Sequence, residues 1–247
     1  MIQAMAEDTR RALLGGLIHH APTFPPARLP IEEALAEDRR ARAGDEAWLL
    51  GPLVWPASRL ADLEGYDDVP ISLVLDGPIP RVGRPVRSVE SRWPAVPDFD
   101  GEVFVELPVD QDLEGNLERL KAAGALAKVR CGGERTPSPA ELARFVEACD
   151  ATRVPFKASA GLHHAVSTGA QHGFLNLLAA VLFPDEAEVA LTTEEPRAFA
   201  LTADGFAWEG RDAGAVDAAR MRRERFRGFG SCSFSEPVDE LRGLGIL

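Results

Sequence analysis

The stretch "GEVFVELPVDQDLEGNLERLKAAGALAKVRCGG" (residues 101–133) decides the fold. Its first part, 101–108, is an apolar run broken at proline, which reads as a strand. Leu113, Leu117 and Leu120 then recur at the i, i+4, i+7 spacing of one helix face. A second apolar run, 124–133, ends in glycines. A strand, a helix and a strand in that order form a βαβ unit, whose two strands lie parallel.

The same alternation continues outward from this unit. Downstream, Ser138, Pro139 and Glu141 predict a capping box with proline at the first helical position. Leu142, Phe145, Val146 and Cys149 supply the buried stripe of that helix. "VPFKAS" (154–159) reads as a strand, and "GFLNLLAAVLF" (173–183) as a helix apolar nearly all round, hence deeply buried. Residues 184–212 are expected to form a degenerate unit with a small hairpin at "FALTADGFAWEG". A basic helix (215–226), a strand and loop at "RGFGSCSF" (227–234) and a final helix close the chain. Upstream, strands are expected at 15–22, 47–55 and 69–77, and a helix at 29–43. Ser58 stands as an N-cap for "SRLADLEGY" (58–66), and the proline-rich stretch 78–100 is expected to hold one irregular helix near 84–92. Such alternation over 247 residues predicts a single-domain (β/α)8 barrel, with a doubly wound open sheet as the alternative. No GxGxxG follows the first strand and no GxxxxGK[ST] occurs, so the usual nucleotide fingerprints are missing.

Composition narrows the function classes. A net charge of −12 repels nucleic acid and anionic membrane surfaces, so neither is expected as a partner. An anionic small-molecule substrate would need a local basic pocket. The three cysteines show no CxxC spacing and suggest no disulfide framework. No segment reads as a signal peptide or a membrane span, and a cytoplasmic location is expected. Composition leaves the oligomeric state open.

Side chains on a barrel strand alternate inward and outward, and barrel active sites lie at the C-terminal strand ends. Glu106 ends one strand, Lys128 and Arg130 share a face of the next, and Lys157 and Ser159 share a face of the one after. These charges are expected to converge at the C-terminal mouth, with Glu106, Lys128 and Lys157 as candidate catalytic groups. Arg130, Ser159, Asp76 and His19 are candidate substrate contacts. The five histidines, His19, His20, His163, His164 and His172, all fall at expected strand ends or at the start of the following helix. His163 is the candidate for proton transfer, with His164 and His172 as binding residues. No metal is expected; the alternative is a divalent ion held by His19, His163, His172 and Glu106. Gly230, Ser231 and Ser233 lie in the last strand and loop, where barrels often hold a phosphate with backbone N–H groups.

The series "VFVELP…GNLERLKAAGALAKVRCGG…VPFKASAGL" resembles the later strands of class I deoxyribose-phosphate aldolases. That family carries K-T-S-T-G on one strand and K-A-S-G-G on the next. "KASAG" matches four of the five positions of the second motif, and "KVRCG" matches the lysine and glycine of the first. The resemblance implies that Lys128 forms a Schiff base and that Lys157 lowers its pKa. Arg130 stands where the family has a small residue, and "LHH" has no counterpart there. The strings "HHAPTFPPA", "GLHHAV", "HGFLNLL" and "FGSCSFSEPV" are also similar to those of an uncharacterised bacterial family, which implies no activity. The expected function is lysine-assisted lyase or aldolase chemistry on a small anionic carbonyl compound, phosphorylated or not. The alternatives are a metal-dependent hydrolase or lyase using the histidines and Glu106, and a non-catalytic ligand-binding barrel.

Overall fold

All seven expected strands enter one barrel, joined by an eighth, β4 (Val86–Arg92), that the sequence hides. The computed structural model describes residues 8–80, 85–109 and 111–247. The first seven barrel strands are β1 (Ile18–His20), β2 (Leu50–Pro56), β3 (Ile71–Val74), β4 (Val86–Arg92), β5 (Glu102–Glu106), β6 (Leu126–Arg130) and β7 (Phe156–Ser159). A separate antiparallel sheet follows: β8 (Phe199–Leu201), β9 (Phe206–Trp208) and β10 (Arg211–Ala213). Then β11 (Phe226–Ser231) pairs in parallel with both β7 and β1 and completes a closed eight-stranded ring. The helices are α1 (Thr9–Leu14), α2 (Ile31–Ala43), α3 (Leu113–Ala122), α4 (Pro139–Thr152), α5 (Phe174–Leu182), α6 (Ala187–Thr192), α7 (Ala215–Glu224) and α8 (Ser235–Gly243). The fold is a (β/α)8 barrel with uneven helical cover: among the described residues, β3, β4 and β5 follow one another without an α-helix between them.

Three expectations are corrected. Residues 86–92 form the strand β4, not an irregular helix, while position 84 lies outside the described residues. The cause is the polarity of the barrel interior. Ser88 and Glu90 take inward places that are apolar in most strands, so the alternation of "VRSVESR" does not look like a buried strand. The stretch 184–212 contributes no barrel strand; its expected hairpin is real and grows into the β8–β9–β10 sheet beside α6. "SRLADLEGY" forms a short 3₁₀ segment at Ala57–Leu63 rather than an α-helix capped by Ser58.

The apolar core surrounds the strands. Val103, Val105, Ala127 and Val129 point outward into a buried cluster that includes Leu117 of α3 and Phe145 of α4. Phe145 packs edge-on against Phe156 at 5.3 Å between ring centroids. By contrast, Val54, Phe104 and Leu126 are buried but stand outside that cluster, on the inner face.

Helix α4 begins as its sequence requires. Ser138 Oγ accepts from Glu141 N, and Glu141 Oε2 accepts from Ser138 N at 2.8 Å. Replacing Ser138 with alanine should cost about 1 kcal/mol. A urea melt would show the loss as a lower midpoint with an unchanged slope.

Candidate functional site

The inner surface of the barrel carries a connected set of charges. Strand register puts Glu106 opposite Lys128 and Lys128 opposite Lys157, so three consecutive strands deliver them side by side. Glu90 of β4 joins them. Its Oε1 lies 2.5 Å from Lys157 Nζ and its Oε2 lies 3.0 Å from Lys128 Nζ. Lys128 Nζ also lies 3.0 Å from Glu106 Oε2. Arg130 donates from Nε and Nη2 to the two oxygens of Glu106 at 3.1 and 3.3 Å. The result is a chain of alternating sign: Lys157, Glu90, Lys128, Glu106, Arg130. Ser88 donates to Ser72, and Ser72 donates to Glu90 Oε1, both at 2.8 Å. Lys157 Nζ lies 5.4 Å from the centre of the Phe104 ring.

Exposure rises along the chain, with side chains 1% exposed at Lys157, 7% at Lys128, 13% at Glu106 and 37% at Arg130. Arg130 therefore marks the mouth and Lys157 the depth. Burial acts against the Lys128 ammonium, but Glu90 and Glu106 outweigh it and hold its pKa above the usual value. At Lys157 burial wins over the attraction of Glu90, and its pKa falls. Burial also opposes charge on Glu90, yet Lys157 and Lys128 hold its carboxyl well below the usual range. Glu106 is lowered in the same way against its burial, by Lys128 and Arg130.

A second row lies beside the first. Arg130 registers with Ser159, Ser159 with Gly230, and Gly230 with His19. A Cβ on Gly230 would meet only Ser159, at 3.8 Å, so there is open space beside it. His19 is buried, and its Nδ1 has no hydrogen-bond partner. Glycine is required next to it: a Cβ at Gly228, where φ is +139°, would lie 2.7 Å from His19 Nε2 and 2.5 Å from Leu17 O. Burial first, then the charge of Lys157, pushes the His19 imidazole well toward its neutral form.

Glu106, Lys128, Lys157, Arg130, Ser159, Gly230 and His19 are thus brought together. The remaining candidates are not. Asp76 is exposed and accepts from Ser58 N at 2.8 Å and from Ser58 Oγ at 2.5 Å. His163 Nδ1 pairs with Glu236 at 2.8 Å and His164 Nδ1 with Glu240 at 3.3 Å, which ties the loop after β7 to α8. His172 Nε2 bonds Pro137 O at 2.8 Å and joins that loop to the start of α4. Ser231 takes the outward phase and donates to Ser233 O, while Ser233 Oγ accepts from Glu236 N at the start of α8. Among the described residues no three His, Cys, Asp or Glu side chains gather as a metal site, and the four alternative ligands stand in separate surroundings.

Sequence reasoning missed Glu90, the carboxylate that joins the two lysines, because its segment was expected to be helical. The available signal was an S-x-E pair at period two, Ser88 and Glu90. It also missed the partners of His20. His20 points outward, fully buried, with Nδ1 2.9 Å from Asp38 and Nε2 3.3 Å from Glu37. Tyr66 and Arg42 both donate to Asp38 Oδ2 at 2.6 Å.

A pocket of about 580 Å³ opens between α2 and α8, lined in part by Glu37, Arg40, Cys232, Ser233 and Arg242. None of Glu90, Glu106, Lys128 or Lys157 lines it, so it is separate from the interior charges.

No protein-family model matches the chain, and no curated protein matches it. Among solved structures, the chain is similar to the tetrameric deoxyribose phosphate aldolase from Aeropyrum pernix. The identity is 13%, over 96% of this chain and 98% of that one, with a TM-score of 0.40. It is also similar to a lysine/ornithine decarboxylase from Vibrio vulnificus complexed with cadaverine, at 14% identity and a TM-score of 0.39. That match covers 76% of this chain and 56% of the decarboxylase. No helix among the described residues is long and apolar enough to cross a membrane.

Proposed function

We propose that the protein is a barrel enzyme acting on a small anionic carbonyl compound through the amine of Lys128. The observation that supports this reading is the buried chain Lys157–Glu90–Lys128–Glu106–Arg130. A surface ion pair needs no such depth, and burying the four inner groups, Lys157, Glu90, Lys128 and Glu106, is costly unless each finds a partner.

Each group has a role in the proposed chemistry. Arg130, Ser159 and the open space beside Gly230 receive the anionic group of the substrate. That anion draws Arg130 away from Glu106, which makes Glu106 a better proton acceptor for Lys128. The freed amine attacks the carbonyl carbon, and the carbonyl oxygen takes up the proton that the attacking nitrogen gives up. Glu106 then returns the proton it holds and the hydroxyl leaves as water. In sum, one ammonium and one carbonyl become one iminium and one water, with charge conserved. Lys157 keeps a second positive charge behind Glu90, which favours the neutral form of Lys128 once Glu106 has moved its proton.

Borohydride reduction tests this reading, because it converts an iminium into a stable secondary amine. Wild-type protein incubated with small phosphorylated aldehydes and reduced should gain the mass of one reduced adduct, mapping to the peptide that holds Lys128. Lys128→Arg should gain none. A barrel that only binds anions would show no adduct with any carbonyl compound tested, and an adduct at Lys157 alone would reverse the two lysine roles.

A further inference from the structure

Toward the N-terminal end of the barrel the register slips between β1 and β2, between β3 and β4, and between β7 and β11, and the last two slips carry arginines. Ile71 pairs with Val86 and Ser72 with Ser88, so β4 carries one residue too many at Arg87. Phe156 pairs with Phe226 and Ala158 with Phe229, so β11 carries an extra residue at Arg227–Gly228. Bulges at barrel rims re-aim side chains. Here each delivers an arginine to the same carboxylate: Glu102 Oε1 lies 3.0 Å from Arg227 Nε, and Glu102 Oε2 lies 4.0 Å from Arg87 Nε.

A third guanidinium completes the group. Arg222, near the end of α7, donates from Nη1 to Phe226 O at 2.6 Å and from Nη2 to Gly15 O at 3.3 Å. Its Nε is buried without an acceptor, and among the described residues no carboxylate lies within ion-pair distance of it. Arg227 Nη1 reaches the backbone carbonyl of Arg222 at 3.4 Å, which brings the Arg227 guanidinium to the end of α7. The Nε of Arg227 is also buried and makes no aligned hydrogen bond, despite its closeness to Glu102. Burial, then the like charges of Arg227 and Arg87, pull the Arg222 pKa down to about 9. Arg227 and Arg87 therefore share one carboxylate while Arg222 has only backbone acceptors, in a chain whose net charge is −12. The side chains of Arg87, Glu102 and Arg227 are 61%, 30% and 25% exposed, so solvent reaches the group.

We infer that Arg87, Arg222 and Arg227 form an anion site at the N-terminal mouth of the barrel that takes a phosphate-type dianion. A structural network would pair these charges one to one. Two excess guanidiniums with unused buried N–H groups instead match an oxyanion carrying two negative charges and several acceptor oxygens. The site lies at the strand starts that carry Arg87 and Glu102, and it does not depend on the Lys128 chemistry.

Inorganic phosphate is the probe. Calorimetric titration at constant ionic strength should show saturable binding to the wild type with a Kd of about 1 mM or tighter. Arg227→Gln and Arg87→Gln should each weaken it about tenfold. Phosphate taken up at the other mouth is removed by titrating in an Arg130→Gln background, where this component should persist with the same affinity. Arg87 is largely exposed, so its variant keeps the test open if Arg227→Gln fails to fold. Absence of saturable binding to the wild type would overturn the inference. So would equal affinity in wild type and Arg87→Gln, or loss of binding in Arg130→Gln alone.

Discussion

Glu90→Ala is expected to destabilise the protein by about 3–5 kcal/mol at neutral pH, the usual result of removing one partner from a buried ion pair. Glu90 is 2% exposed and bridges two lysines that have few alternatives. Lys128 keeps Glu106, but Lys157 is left with no carboxylate at a fully buried position. Its ammonium must then lose its proton or draw in water. Equilibrium urea unfolding measures the loss. The double variant Glu90→Leu, Lys157→Met removes both charges and should recover most of it, since apolar replacement of a buried pair is often neutral. A single variant within about 1 kcal/mol of wild type would show that the chain of charges does not act as a unit.

The second large effect concerns the outer face of β1. Asp38→Ala should cost about 3–5 kcal/mol, because three donors lose their acceptor at once: His20, Tyr66 and Arg42. The same network sets a pH dependence. Burial opposes charge on His20, but the hydrogen bond to Asp38 and the nearby Glu37 carboxylate outweigh it and raise the pKa above the ordinary 6.5. A raised pKa contributes stability that is complete below 6.5 and is lost as pH rises through the folded-state value. Asp38 and Glu37 have lowered pKa values, so their contribution is complete above the ordinary carboxylate range and is lost as pH falls through the folded-state values. The melting temperature should therefore decline on the alkaline side of pH 6.5 in the wild type, and His20→Gln should flatten that limb. An unchanged slope in His20→Gln would assign the dependence to other groups.

Much of the barrel was legible in residues 101–159, where outward valines and alanines alternate with charges that a strand carries inward. The same rule hid β4. Its inner positions hold Ser88 and Glu90, its outward apolar signal is carried largely by Val89, and prolines flank it. For the site, the strand residues were readable because a period of two fixes their face. Loop histidines have no such constraint: His163, His164 and His172 all bind partners on neighbouring loops or on α8. His20 was hidden by adjacency. Of two consecutive strand residues one faces inward and one outward, and the sequence does not say which.

The main apolar annulus lies outside the strands, while the space they enclose holds a column of charge beside a few apolar side chains such as Phe104. Each barrel strand therefore answers to two masters on alternate residues. Along β6, Ala127 and Val129 belong to the outer packing and Lys128 and Arg130 to the inner column. Inner residues can be exchanged as matched sets for another ligand while the outer ones go on specifying the same ring. For redesign, this makes the barrel a socket with replaceable pins, its inner wiring changeable every second residue without recasting the housing.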